Sequence, residues 1–295
     1  MKAGRRVTAL GLAVLFMLCC CPMETLAFEP WTKVGGYWIS ADGRTPIKGA
    51  VEKGITVTKY QNTAGMIDWK QVAVSQISFA MVRLGYYDDP DPYFKENMTG
   101  AQKAGIDTGV CFYGDAHDVE SARREARYVL DIVKEYRVSY PIAYDVESEE
   151  LLESGLTKDQ ITEQVGAFCK VIEDAGYKAV IFGSNDWLTK HMDTKELPYD
   201  IWYSRYGLAN SFENRTLWRC TDRGRVEGIE GDVCLEFAFE DYSKTFPGTG
   251  WRVINGKNYY FKDYRMLKNT KARIDETSYV FDKNGLCEAK EKEKD

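Results

Sequence analysis

The chain of 295 residues carries only two histidines, His117 and His191, and no cysteine pair at the spacing of a zinc knuckle. Structural zinc needs closely spaced nitrogen and sulfur ligands, so the sequence offers no metal centre. Positive charge is also scarce: 39 Lys and Arg stand against 45 Asp and Glu, a formal net charge of −6. Phosphate backbones are held by clustered basic residues, which excludes nucleic acid as the partner. The one long apolar run, Val7–Cys21, falls short of the roughly 20 residues that cross a bilayer. Lys2, Arg5 and Arg6 precede it and Thr25-Leu26-Ala27 follow, the order of an export signal. Residues 1–27 are therefore expected to be removed and the protein to be secreted or wall-associated. Acylation at Cys19, Cys20 or Cys21 is the alternative. Loss of Lys2, Arg5, Arg6 and Glu24 takes the formal charge from −6 to −8. Five widely spaced cysteines remain (Cys111, Cys169, Cys220, Cys234 and Cys287), an odd set unlike a disulfide scaffold.

What is present is an alternation of short apolar runs with longer amphipathic ones. Strands are expected at Gly54–Thr58, Ile77–Arg83, Asp107–Tyr113, Ser139–Asp145, Lys178–Phe182, Asp200–Tyr203, Thr216–Arg219 and Asp232–Phe237. Helical patterns at Asp91–Ala104, Val119–Tyr136 and Lys158–Ala175 fall between the early ones, the last with Thr157 as N-cap and Gly176 at its close. Eight strands with helices among the first five imply an α/β fold, an irregular (β/α) eight-stranded TIM-like barrel. A doubly wound sheet is the structural alternative, but no glycine-rich phosphate loop follows the first strand.

Beyond residue 249 the texture changes. Residues 250–269 and 270–289 superpose at a shift of 20, Ile254 on Ile274, Tyr259 on Tyr279 and Phe261 on Phe281, with Asn-Gly and Lys-Asn-Gly turns between aromatic runs. This is a small appendage of two β-hairpin repeats, followed by a charged tail over 290–295.

Chemistry concentrates in the segment Ser139–Ser148, SYPIAYDVES. Asp145 and Glu147 stand at i and i+2, hence on one face at a strand's end, and two close carboxyls drive one pKa upward. Asp118-Val119-Glu120 repeats the spacing but reads as an N-cap and first-turn acid of a helix. Of the remaining candidates, Trp202, Tyr206 and Trp218 are either sugar-stacking faces or packing. Arg83 is either a substrate partner or an ion-paired barrel residue. Cys220 and Cys234 are a bonded pair, free thiols or space fillers.

GITVTKYQ (54–61) followed by MIDW (66–69) resembles the opening of family 25 glycoside hydrolases, which runs GIDVS, a few residues, then IDW. MVRLGY (81–86), DPYFKEN (91–97), AGIDTGVCFYGDA (104–116), YPIAYDVES, EDAGYKAVIFGS (173–184), YDIWYSRY (199–206) and GRVEGIEGDVCLEF (224–237) follow in family order. The resemblance covers about residues 34–242, assigning 34–244 to the barrel. It implies a muramidase that cleaves the β-1,4 bond between N-acetylmuramic acid and N-acetylglucosamine without a cofactor. Glu147 would protonate the glycosidic oxygen and Asp145 orient the substrate's acetamido group as internal nucleophile. Tyr113, Phe182, Trp202, Tyr206, Trp218 and Arg83 would line the substrate site. The partner would be peptidoglycan glycan strands, bound by a monomer. The hairpins resemble choline-binding-type wall repeats, but Lys271 and Asn258 replace usual tryptophans, which favours general wall-polymer affinity or docking on the barrel.

Departures accompany the match. Thr56 and Cys234 replace two usual acids, Glu236 a usual Asn, Arg219-Cys220 a usual Gln-Tyr, and Cys111 and Phe182 usual tyrosines. Two readings follow: a hydrolase that works with the Asp145/Glu147 pair alone, or a catalytically weakened or inactive glycan-binding module. Under the first, Thr56→Asp with Cys234→Asp is expected to raise the rate.

Overall fold

The computed structural model describes residues 27–86, 89–207 and 214–291. The proposed leader, residues 1–26 of it, and the tail beyond 291 lie outside these residues. Eight strands close a barrel: β1 (Glu52–Val57), β2 (Phe79–Gly85), β3 (Asp107–Tyr113), β4 (Ile142–Asp145), β5 (Ala179–Ser184), β6 (Asp200–Ser204), β7 (Arg215–Gly224) and β8 (Val233–Ala238). Neighbours from β1 through β7 pair in parallel, whereas β8 runs antiparallel to both β7 and β1. Helices α1 (Trp69–Val74), α2 (Phe94–Lys103), α3 (Val119–Val133), α4 (Glu149–Glu153) and α5 (Lys158–Asp174) occupy the early connections. The expected eight-stranded barrel is thus the fold.

Local chemistry explains the helix ends. Thr157 and Asp118 both cap their helices in reciprocal capping boxes, with Gln160 and Ser121 as partners. Asp118 is therefore the cap expected, not a second catalytic acid. Strand β4 starts at Ile142 rather than Ser139 because Pro141 has no amide proton for the ladder. The short helices α1 and α4 have no long apolar period, and periodicity did not reveal them.

Two cores divide at the sheet. Inside the barrel pack Phe79, Met81, Cys111, Ala143, Val180, Phe182, Trp202, Leu217 and Ala238, among others. Outside, the strands without helices are covered by the N-terminal segment. Trp31 meets Trp218 edge-on at 6.1 Å, and Trp38 lies 5.6 Å from Phe237. The alternation along β7 and β8 puts Cys220 with this outer core and Cys234 beside the interior-facing Glu236. Both are free thiols, since opposite faces of a sheet cannot be bridged.

The hairpins form two three-stranded sheets, β9 (Gly250–Ile254) with β10 (Lys257–Lys262) and β11 (Arg265–Met266), then β12 (Thr270–Ile274) with β13 (Thr277–Phe281) and β14 (Cys287–Glu291). Asn255 (φ 51°) and Gly256 (φ 74°) make the left-handed turn that the Asn-Gly pair foretells. The first sheet is docked: Ile254, Tyr259, Phe261 and Met266 belong to the outer core. Arg252 is buried between the rings of Tyr177 and Phe261, each 4.3 Å from its guanidinium carbon. Gly176, at φ +81° after α5, leaves Arg252 the room, for a Cβ there would meet its Cγ at 3.2 Å. Asn255 donates to the Arg127 carbonyl and Lys268 pairs with Glu135.

Candidate active site

The C-terminal ends of β1 to β7 open into one mouth, the usual place for chemistry in such barrels. Asp145 ends β4, opposite Tyr113 of β3 and Phe182 of β5. Its carboxylate is buried and accepts the Glu147 amide at 3.0 Å through Oδ1. Glu147, half-buried one step beyond the strand, accepts the Ser184 amide at 2.5 Å through Oε1. The two acids are thereby locked to each other and to the end of β5. Burial pushes Asp145 up to about 7; the Glu147 charge adds to the rise, while the Glu147 amide and Arg219 oppose it. Near neutral pH a proton is thus available at the pair, where the sequence pattern assigned it to Glu147 alone. For two coupled carboxyls the proton belongs to the pair, and delivery from Glu147 needs only its transfer within the site.

The replaced positions sit together. Thr56 pairs directly with Cys234, and Arg219 directly with Glu236. Glu236 is fully buried and satisfied by three donors: Thr56 Oγ1 at 2.7 Å, Arg219 Nε at 2.9 Å and Trp202 Nε1 at 2.8 Å. Arg219 Nη2 in turn donates to Thr56 Oγ1 at 3.1 Å. The guanidinium carbon lies 4.5 Å from the Phe182 ring centroid and 4.7 Å from that of Trp202. Burial alone would lower the Arg219 pKa, but Glu236 outweighs it and the guanidinium stays charged. Burial raises the Cys234 thiol to about 11, so it stands protonated.

The other candidates separate on burial. Trp202 and Trp218 are fully enclosed and offer no face to a sugar. Trp202 is consumed by Glu236; Trp218 points to the outer core and donates to the Arg205 carbonyl at 2.8 Å. Both are packing residues, as is Phe182, which meets Trp202 edge-on at 4.9 Å. Tyr206 is exposed at the rim and retains the stacking role. Arg83 takes the ion-pair alternative: its Nη2 reaches Asp91 Oδ2 at 3.0 Å. Asp91 also accepts the Lys59 and Tyr93 amides, tying the loops after β1 and β2 together. Arg83 further spans the rings of Tyr60 and Tyr113, and Tyr86 lies 5.2 Å from Tyr113. Tyr60 and Tyr86, exposed at the same rim, were not singled out from sequence; lone tyrosines in loops carry no periodic signal. His117 is exposed and His191 packs on Trp187.

A closed barrel with a paired Asp and Glu at the end of its fourth strand defines a carboxylate-based barrel hydrolase by shape and chemistry. A model of the glycosyl hydrolases family 25 matches residues 55–229, and the chain belongs to that family. The uncharacterized protein YegX of Escherichia coli K12 is 26% identical over 190 residues, 61% of this chain and 66% of YegX. Among solved structures, the modular autolysin LytC of Streptococcus pneumoniae, in complex with a synthetic peptidoglycan ligand, superposes with a TM-score of 0.62 at 22% identity, over 70% of this chain and 52% of LytC. A family 25 glycosyl hydrolase of Bacillus anthracis gives 0.57 at 20% identity, over 66% and 92%. The lysozyme of Streptomyces coelicolor gives 0.54 at 22%, over 63% and 90%. At these identities the structural likeness shows the fold. The chain spans just under two thirds of the length of YegX and about half that of LytC.

Proposed function

We propose that the protein hydrolyses peptidoglycan, at the β-1,4 bond between N-acetylmuramic acid and N-acetylglucosamine. The observation that carries the reading is the Asp145/Glu147 pair, cross-linked by its own backbone and seated where β4 opens to the mouth. Glu147 Oε1 is held by Ser184, which leaves Oε2 to protonate the departing oxygen. Asp145, two residues back on the same face, orients and polarises the substrate's acetamido group. The lysozymes and autolysins that share the fold support the substrate class. Reducing-end and mass analysis of purified peptidoglycan after incubation tests the proposal: fragments ending in N-acetylmuramic acid are expected. Intact glycan that nevertheless retains the protein would instead support the second reading, a glycan-binding barrel, which the loss of two family acids at Thr56 and Cys234 favours.

We further propose that the chain is exported and that the hairpins add wall-polymer contact through the ring cluster of Trp251, Tyr260, Tyr279 and Phe281. Phe28 already bonds to Gly43. N-terminal sequencing of exported protein should begin near Phe28; an intact Met1 or an acylated cysteine would overturn the cleavage.

A further inference from the structure

Relative to the family pattern, this mouth has lost two carboxylates from one cross-strand pair, Thr56 opposite Cys234. It has gained an ion pair in the next, Arg219 opposite Glu236. The two changes are one network. Thr56 has a single hydroxyl proton, given to Glu236, and its lone pair accepts from Arg219. A carboxylate at position 56 would face Glu236 with no proton to offer. Glu236, enclosed and triply bonded, has no oxygen free for a substrate. Arg219 differs in this respect. Its Nε and Nη2 are fixed by two acceptors and its plane is set by the rings of Phe182 and Trp202, so the fork is immobile. Phe182 is the register partner of Asp145, which brings this cation from β7 across β6 to the strand beside β4.

The charged and titratable groups that bear on Asp145 or are affected by it can be named element by element. Glu147 follows it on the loop after β4. Cys111 and Tyr113 come from β3, and Tyr86 from the loop after β2. Arg219 comes from β7, and β5 contributes only the apolar Phe182. Arg219 is the cation of the set, and the member of the Arg219–Glu236 pair that acts on Asp145.

We propose that Arg219 is a positioning residue of this active site: clamped by Glu236, Thr56 and two rings, its guanidinium faces Asp145 and holds that carboxylate in the ionised form that orients the substrate. The role rests on the hydrolase reading for its use, though not for its electrostatics. It gives the departures at positions 56, 219, 234 and 236 a common purpose, since a mouth with two acids instead of four needs one of them reliably charged.

The test uses the full mature chain with both charges removed together, Arg219→Gln/Glu236→Gln, because deleting Arg219 alone would strand a buried carboxylate. Arg219→Lys keeps the charge and serves as the conservative rescue. Asp145 is titrated by NMR with carbon-13 at aspartate carboxyls, its signal assigned through Asp145→Asn, and kcat/KM on purified peptidoglycan is followed against pH. The double variant should raise the Asp145 midpoint by about one pH unit, the usual effect of losing a nearby opposite charge. The pH profile should move with it, and Arg219→Lys should restore most of the shift. A double variant that melts cooperatively yet leaves the midpoint in place overturns the proposal. Should the glutamine pair not fold, the apolar pair Arg219→Met/Glu236→Leu carries the same readout. A midpoint that shifts in a protein without turnover upholds Arg219's role and removes the hydrolase reading instead.

Discussion

At the scale of single residues the account turns on one buried acid. Asp145 titrates near 7 in the folded chain against an ordinary 3.8. The folded state therefore binds more protons than the unfolded one between those values, and folding stability falls as pH rises from about 4 to about 7. Complete burial makes the loss roughly 4 kcal/mol at most. Asp145→Asn removes this penalty, so its melting temperature should exceed the parent's at pH 8 by several degrees and match it more closely at pH 5, while activity is lost. Thermal melts at the two pH values check this; equal gains at both would contradict the titration. Thr56 makes the opposite case. Its hydroxyl serves Glu236 at 2.7 Å, so Thr56→Asp exchanges a donor for a like charge inside the barrel. The structure thus reverses the expectation that restoring family acids quickens the enzyme. Thr56→Asp should cost on the order of 3 kcal/mol, a fall of about 6–12 °C in melting temperature, unless Glu236 and Arg219 are neutralised with it. A stable and faster Thr56→Asp would refute the network.

At the scale of elements, the long apolar strands and the three long helices were legible because their periods are regular and their caps chemical, Thr157 and Asp118 above all. The Asp145/Glu147 pair was legible for the same reason: two residues of strand put both carboxyls on one face. The partners of the departed residues were not. Arg219 and Glu236 lie 17 positions apart and meet only because β7 and β8 run antiparallel in that register. Trp202 and Trp218 looked alike as sugar platforms, since nothing local tells an aromatic facing a sealed interior from one facing a rim. Alternation along a strand separates inner from outer face once the register is known, and it also parts Cys220 from Cys234.

At the scale of the whole molecule, the first hairpin sheet is part of the barrel rather than a loose attachment. Ile254, Tyr259 and Phe261 are buried in the outer core, and each such side chain contributes about 1.5–3 kcal/mol. Ending the chain after Thr249 should therefore lower the melting temperature by about 10 °C or more, whereas ending it after Asn269 should lower it by only a few degrees. Calorimetry of the two truncations distinguishes a docked sheet from an independent one, which would leave the barrel's transition unmoved in both. The measurement that bears most directly on the central claim compares the parent with Glu147→Gln on purified peptidoglycan, scored by mass spectrometry of released fragments. The amide fits the Ser184 contact but holds no acidic proton, so the parent should release fragments ending in N-acetylmuramic acid and the variant should lose at least 100-fold in rate. A variant that cleaves as fast as the parent would contradict the assignment of Glu147 as the acid.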